Sequence, residues 1–127
     1  MQVGGRFARA HWRAIHQWGI ARYVRQRADL PWEQLASVYR AAALLLFPST
    51  YEGFGLPVLE AMRMGTPVVA RAAGAVPEVL GDAGLLVLEN EAEAFAMAAA
   101  RVLEDGTLRD TLVTRARDRA QAFTWEE

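Results

Sequence analysis

The sequence predicts an α/β fold with a doubly wound, Rossmann-like parallel sheet. Two observations favour this class. Short apolar runs, such as residues 44–47 and 68–70, have the length and composition of buried strands, and they alternate with segments of helical periodicity. The connections between them are short and contain glycine or proline. Strands and helices that alternate over short loops are typical of a layered α/β structure.

The individual elements are predicted in chain order. Residues 2–5 have the pattern of a strand end and its turn, and residues 23–27 that of a short edge strand weakened by arginines. Thr107 with Asp110 three residues later predicts a capping box before the last helix. The remaining predicted helices are 6–18, 32–43, 56–64, a short one from Pro77, 91–104 and 107–122, and the remaining strands are 44–47, 68–70 and 85–88.

Composition restricts the classes of protein to which the chain can belong. No run reaches the roughly 18 apolar residues of a membrane span, and the N-terminus has no signal-peptide pattern, so we predict a cytoplasmic protein. A net charge of −1 gives no reason to expect a nucleic-acid partner. The absence of cysteine excludes disulfides and thiolate zinc sites, and His11 and His16 lack the spacing of a helical metal pair. We therefore expect no metal and no cofactor.

All 14 basic residues are arginine. Any phosphate that a side-chain cation binds in this chain must therefore be bound by arginine. Arg63 and Arg71 are the cations that we expect near the glycine-rich segment 53–55, and we interpret both as surface residues.

The loop after strand 44–47 is the strongest candidate site. It contains Gly53 and Gly55 and leads into a helix that begins near Pro57. In an open parallel sheet, ligands bind where loops leave the carboxyl ends of strands, and a helix N-terminus favours anions. We expect Gly53, Phe54, Gly55 and Leu56 to bind phosphate or sugar oxygens through backbone N–H groups. The side chains of Phe54 and Leu56 could equally belong to the core.

Two glutamates, Glu52 and Glu60, bracket this segment. Ionised carboxylates only accept hydrogen bonds, so their natural partners at this position are sugar hydroxyls. Glu60 could also be an ordinary glutamate favoured by the helix dipole, and Glu52 a solvated loop residue. A further alternative is the acid and nucleophile pair of a glycoside hydrolase.

Residues 48–62, PSTYEGFGLPVLEAM, followed by 65–70, GTPVVA, and by Phe123-Thr-Trp125, resemble the signature of the retaining family-4 glycosyltransferases of GT-B fold. The resemblance implies transfer of a sugar from a nucleoside diphosphate sugar to an acceptor hydroxyl with retention, a hexosyltransferase activity. It implies that Glu60 holds the ribose, that Glu52 is catalytic and contacts the donor sugar, and that loop 53–56 binds the leaving pyrophosphate. It disfavours the hydrolase.

The resemblance also implies that residues 1–127 are a single partial domain, the C-terminal nucleotide-sugar-binding half of a GT-B fold. In the family, another strand precedes this part and carries the pyrophosphate-binding arginine and lysine, and an N-terminal domain binds the acceptor. We therefore expect this chain alone to be inactive, and expect unpaired sheet edges to favour a homodimer. The alternative is a non-catalytic fragment that binds nucleotide or self-associates without turnover.

Overall fold

The computed structural model describes residues 1–49, 54–89 and 91–123, and these form helices and parallel strands, which confirms the α/β class. The chain divides into two compact units, residues 1–35 and 36–127. Among the described residues, the strands pair as one two-stranded and one three-stranded parallel sheet. None of the helices in the described ranges has both the length and the apolar character needed to cross a membrane.

The first unit contains a pair of parallel strands of two residues each. Strand β1 (Gln2–Val3) pairs with β2 (Gln26–Arg27), and the Gln26 side chain donates a hydrogen bond of 2.9 Å to that of Gln2. Helix α1 (Arg9–Gln17) lies between them in sequence and is shorter than the predicted 6–18. The predicted strand 23–27 is largely wrong, since a 3₁₀ turn occupies Ala21–Tyr23 and only two residues pair. The arginines of segment 23–27 leave this segment little apolar surface to bury.

The second unit contains the larger sheet. Strands β3 (Leu45–Phe47), β4 (Val68–Arg71) and β5 (Leu85–Val87) are parallel and lie in the order β3-β4-β5. The helices of the chain after α1 are α2 (Trp32–Ala41), which begins in the first unit, α3 (Leu56–Met64), α4 (Val76–Leu80), α5 (Ala92–Glu104) and α6 (Gly106–Ala120). The register pairs Phe47 with Ala70 and Arg71 with Val87, so all three strands end at one edge.

Apolar side chains cover one face of this sheet. Val69 and Val87 pack with Phe95 and Val102 of α5 and with Leu112 of α6. All five are buried, and full burial of such a side chain contributes about 1.5–3 kcal/mol. This cluster fixes α5 and α6 against the strands.

Helix α3 packs against several elements of the second unit. It contacts β3, β4, α4 and α6. Val58, Leu59, Ala61 and Met62 are each at most 1% exposed. With four buried side chains in nine residues, α3 cannot shift without opening the core, so the residues that it carries are held firmly.

Helix α6 begins differently from the prediction. Asp105 is its N-cap and accepts a hydrogen bond of 3.0 Å from the Leu108 backbone N–H, so the predicted capping box of Thr107 and Asp110 is wrong. Because the helix already begins at Gly106, Thr107 lies inside the first turn and cannot cap it. The extended backbone of Asp105 suits the N-cap position.

Gly84 lies where the chain passes close to the start of β4. A Cβ atom at this position would stand 2.7 Å from the carbonyl oxygen of Val68 and 2.7 Å from a methyl carbon of Leu80. The carbonyl belongs to a strand and cannot move aside. Glycine is therefore required here for space.

We expect Gly84→Ala to lower the free energy of unfolding by about 1–3 kcal/mol, the usual cost of overpacking. Gly106→Ala is the matched control, because its nearest neighbour to a new Cβ is 3.7 Å away, an ordinary contact. Urea denaturation of both variants measures the difference. Equal stability of the two variants would show that the close approach at Gly84 is not a constraint.

Candidate functional site

The predicted strand, loop and helix follow one another as expected. Strand β3 ends at Phe47, and α3 begins at Leu56. Of the predicted site residues, Glu52 and Gly53 lie outside the described residues, so their roles stay predictions. Phe54, Gly55, Leu56 and Glu60 are described, and all lie at or near the N-terminus of α3.

Gly55 is the N-cap of α3 and has a left-handed backbone, with φ 77° and ψ 40°. A Cβ here would meet Val76 at 3.6 Å, which is ordinary contact, so glycine is needed for its conformation and not for space. Among the described residues no side chain caps the helix. The first turn therefore directs its N–H groups, and the positive end of the helix dipole, toward the loop.

Phe54 and Leu56 flank this glycine with exposed side chains, at 45% and 41% exposure. The alternative that they are core residues is therefore wrong. The Phe54 ring meets the Phe123 ring edge to face, with centroids 6.4 Å apart. The predicted role of their backbone N–H groups stays a prediction.

Glu60 lies one turn into α3 and is partly buried. The Tyr39 hydroxyl, on α2, donates a hydrogen bond of 2.9 Å to Oε2 of Glu60. This contact was not predicted from the sequence. The available signal was general: a buried tyrosine hydroxyl usually has a polar partner.

The environment of Tyr39 keeps its hydroxyl protonated. The side chain is only 7% exposed. Burial, followed by the hydrogen bond to Glu60 and its negative charge, raises the pKa of Tyr39 well above the ordinary value of about 10. Tyr39 is therefore a permanent hydrogen-bond donor at neutral pH.

The backbone of Tyr39 is held as well. Thr66 is buried, and its hydroxyl donates a hydrogen bond of 2.5 Å to the Tyr39 carbonyl oxygen. Thr66 directly follows Gly65, the left-handed C-cap of α3. The end of α3 is thus linked to the backbone of α2, whose tyrosine side chain reaches back to Glu60.

Arg71 is the last residue of β4, at the edge where the three strands end. Its Nη1 atom is buried and has no hydrogen-bond partner among the described residues. Arg71 is partly exposed, so its interpretation as a surface residue holds only in part, whereas Arg63 is exposed and donates to the Phe123 carbonyl. A buried, unsatisfied guanidinium N–H is costly, and an anion bound at this edge would satisfy it.

A surface depression lies elsewhere, along β5 and α5. It has a volume of about 490 Å³, and its described lining residues include none of residues 54–56. Its charged lining residues are Glu89, Glu91, Glu93 and Arg101. Three carboxylates beside one arginine disfavour a phosphate. In the described ranges no group of three or more histidine, aspartate or glutamate side chains could hold a metal ion.

Residues 1–105 match the family described as glycosyl transferases group 1. The chain belongs to this family. O-antigen chain mannosyltransferase B of Escherichia coli is 37% identical over 115 residues, which is 91% of this chain and 30% of that protein. The signature in residues 48–70 therefore identified the group 1 glycosyltransferases correctly, whereas retention and membership of family 4 stay predictions.

Solved structures agree with this assignment. Sucrose-phosphate synthase from Thermosynechococcus elongatus superposes with a TM-score of 0.84 at 35% identity, covering 94% of this chain and 33% of that one. HepE of Anabaena in complex with UDP-glucose has a TM-score of 0.78 at 26% identity, covering 89% and 31%. The fold is that of the C-terminal Rossmann-like domain of GT-B glycosyltransferases. The chain spans about a third of the length of these glycosyltransferases.

The stability of the protein should depend on pH through Tyr39. Unfolded Tyr39 loses its proton near pH 10, whereas the folded protein retains it, so stability is complete below about pH 10 and falls as the pH rises further. Ultraviolet titration should show one of the three tyrosines ionising late. Tyr39→Phe should abolish this late phase, and Tyr23→Phe, at an exposed position, should not. Ionisation of all three tyrosines together would contradict the prediction.

Proposed function

We propose that the chain binds a nucleoside diphosphate sugar at the N-terminus of α3 and is the donor-binding part of a retaining glycosyltransferase. The observation that carries the proposal is the placement of Glu60 one turn behind the left-handed Gly55, where no described side chain caps the helix, at the carboxyl edge of the sheet. Family membership supports a glycosyltransferase, and the structure of HepE with UDP-glucose supports this class of donor.

The leaving diphosphate would bind at the first turn of α3. Its N–H groups and the helix dipole favour an anion, and the left-handed Gly55 lets the backbone turn toward it. Arg71 has a buried guanidinium N–H without a described partner at the same edge of the sheet. Because the chain has no lysine, arginine is its only strong side-chain cation for this role.

The two glutamates would recognise sugar hydroxyls. We assign the nucleotide ribose to Glu60, whose carboxylate is partly exposed and only accepts hydrogen bonds. Glu52 is proposed to contact the donor sugar near the reacting carbon, as the family-4 resemblance implies. The nucleotide sugar is a co-substrate, and we propose no metal or other cofactor.

In the proposed reaction, the bond between the anomeric carbon and the diphosphate oxygen breaks, a new bond forms to the acceptor hydroxyl oxygen on the same face, and the proton of that hydroxyl passes to the leaving diphosphate. Negative charge grows on the leaving diphosphate, and backbone N–H groups fixed in advance stabilise that charge. The described site contains groups for the donor alone. We therefore propose that an acceptor-binding domain is required in addition, and that the chain by itself binds the donor without turnover.

One observation favours the second candidate, a fragment that self-associates without catalysis. The first unit exposes large apolar side chains, including Trp18 at 70% and Tyr23 at 67%, with Met1 and Trp32 also exposed. Clustered apolar surface often marks a protein interface. A homodimer, the single partial domain and the cytoplasmic location all stay predictions, and sedimentation of the purified chain tests the first of them.

The donor assignment predicts that one of UDP, GDP and ADP binds the folded chain in a calorimetric titration. Glu60→Gln should weaken that binding about tenfold or more, because a hydrogen bond to a charged group contributes about 1.5–3 kcal/mol. Glu104→Gln, an exposed glutamate near the end of α5, is the matched control and should leave the affinity unchanged.

Two results would count against the proposal. Failure of all three nucleotides to bind the folded chain at millimolar concentration would remove the donor site. Equal weakening by the two glutamine variants would show that Glu60 contributes only through the net charge of the protein.

A further inference from the structure

We infer that Tyr39 is a positioning residue for Glu60, and that the hydrogen bond between them makes the site select nucleotides that carry ribose hydroxyls. The inference rests on the proposed function, since it takes the ribose to be the partner of Glu60. Tyr39 itself would not touch the ligand. It would act by fixing the carboxylate that does.

The two oxygens of the Glu60 carboxylate differ in their hydrogen bonding. Oε2 accepts from the Tyr39 hydroxyl at 2.9 Å. Among the described residues no other group donates a hydrogen bond to this carboxylate, so Oε1 retains its capacity to accept. One oxygen thus anchors the side chain, and the other can receive a hydroxyl from a ligand.

Tyr39 can serve as an anchor because it is itself immobile. Its ring is buried, and its carbonyl oxygen accepts from the buried Thr66 hydroxyl. A glutamate that becomes ordered only on binding loses up to about 2 kcal/mol of side-chain conformational entropy. Contact with Tyr39 orders Glu60 before the ligand arrives, so this loss does not weaken ligand binding.

Tyr39 acts toward Glu60 as a hydrogen-bond donor at neutral pH. A phenol can donate to the carboxylate only while protonated, and the raised pKa of Tyr39 ensures this at neutral pH. The competing explanation is structural: the hydrogen bond merely satisfies a buried hydroxyl. The two explanations differ in their consequences for Glu60 and for ribose recognition.

The first experiment needs no ligand. Three-bond coupling constants from NMR report the side-chain rotamers of Glu60 in the 127-residue chain. We expect a single dominant rotamer in the native protein, averaged couplings in Tyr39→Phe, and native couplings in the exposed control Tyr23→Phe. Native couplings in folded Tyr39→Phe would overturn the positioning role, whichever nucleotide binds.

The second experiment compares UDP, GDP and ADP with their 2′,3′-dideoxy forms by calorimetry. The native chain should prefer the ribonucleotide about tenfold, the worth of a hydrogen bond to a charged group, and Tyr39→Phe should reduce this preference to about twofold. Tyr39→Phe should leave the affinity for the dideoxy form at its native value. An equal loss of affinity for both forms would overturn the inference in favour of the structural explanation.

The outcomes also separate this inference from the proposed function. Absence of nucleotide binding together with a disordered Glu60 in Tyr39→Phe would reject the donor site and uphold the positioning role alone. Ribose preference that persists unchanged in Tyr39→Phe would uphold the donor site and reject the role of Tyr39. Thr66→Val provides a second test of the role of Tyr39. It removes the hydrogen bond to the Tyr39 carbonyl oxygen and so loosens the Tyr39 backbone, but it keeps the phenol hydroxyl.

Discussion

The burial of helix α3 is the constraint on which the candidate site depends. Its apolar side chains are enclosed by β3, β4, α4 and α6, so its axis is fixed by packing on several sides. That packing determines where the N-terminus of the helix lies relative to the ends of the strands. It also determines where Glu60 meets Tyr39. The chemistry of the site is therefore set by apolar contacts that take no part in it.

Electrostatics at this edge follow from the same arrangement. Parallel strands of matched register bring Arg71 to the carboxyl edge, where the glycine loop leaves β3. The positive end of α3 and the arginine favour an anion, whereas the glutamates along β5 and α5 disfavour one. Charge therefore favours the proposed anion site at this edge over the depression along β5 and α5.

The sequence predicted the features that depend on local pattern. Apolar runs, glycine and proline located β3 and α3, and the motif around Glu60 identified the group 1 glycosyltransferases. Features that depend on distant contacts were not predictable. The partner of the Tyr39 hydroxyl lies 21 residues away, and the burial of the Arg71 Nη1 atom results from tertiary packing. The error at the start of α6 was smaller: Thr107 and Asp105 are both good capping residues, and only the helix boundary decides between them.

The start of α3, which no described side chain caps, also has a consequence for the evolution and engineering of this fold. A serine or aspartate side chain at an N-cap typically stabilises a helix by about 1 kcal/mol, and Gly55 forgoes this stabilisation. Such a side chain would occupy the N–H groups that the proposed diphosphate needs. Selection for a more stable domain at this position would therefore oppose selection for ligand binding, so the helix that organises the core begins at a point that cannot be optimised for stability alone.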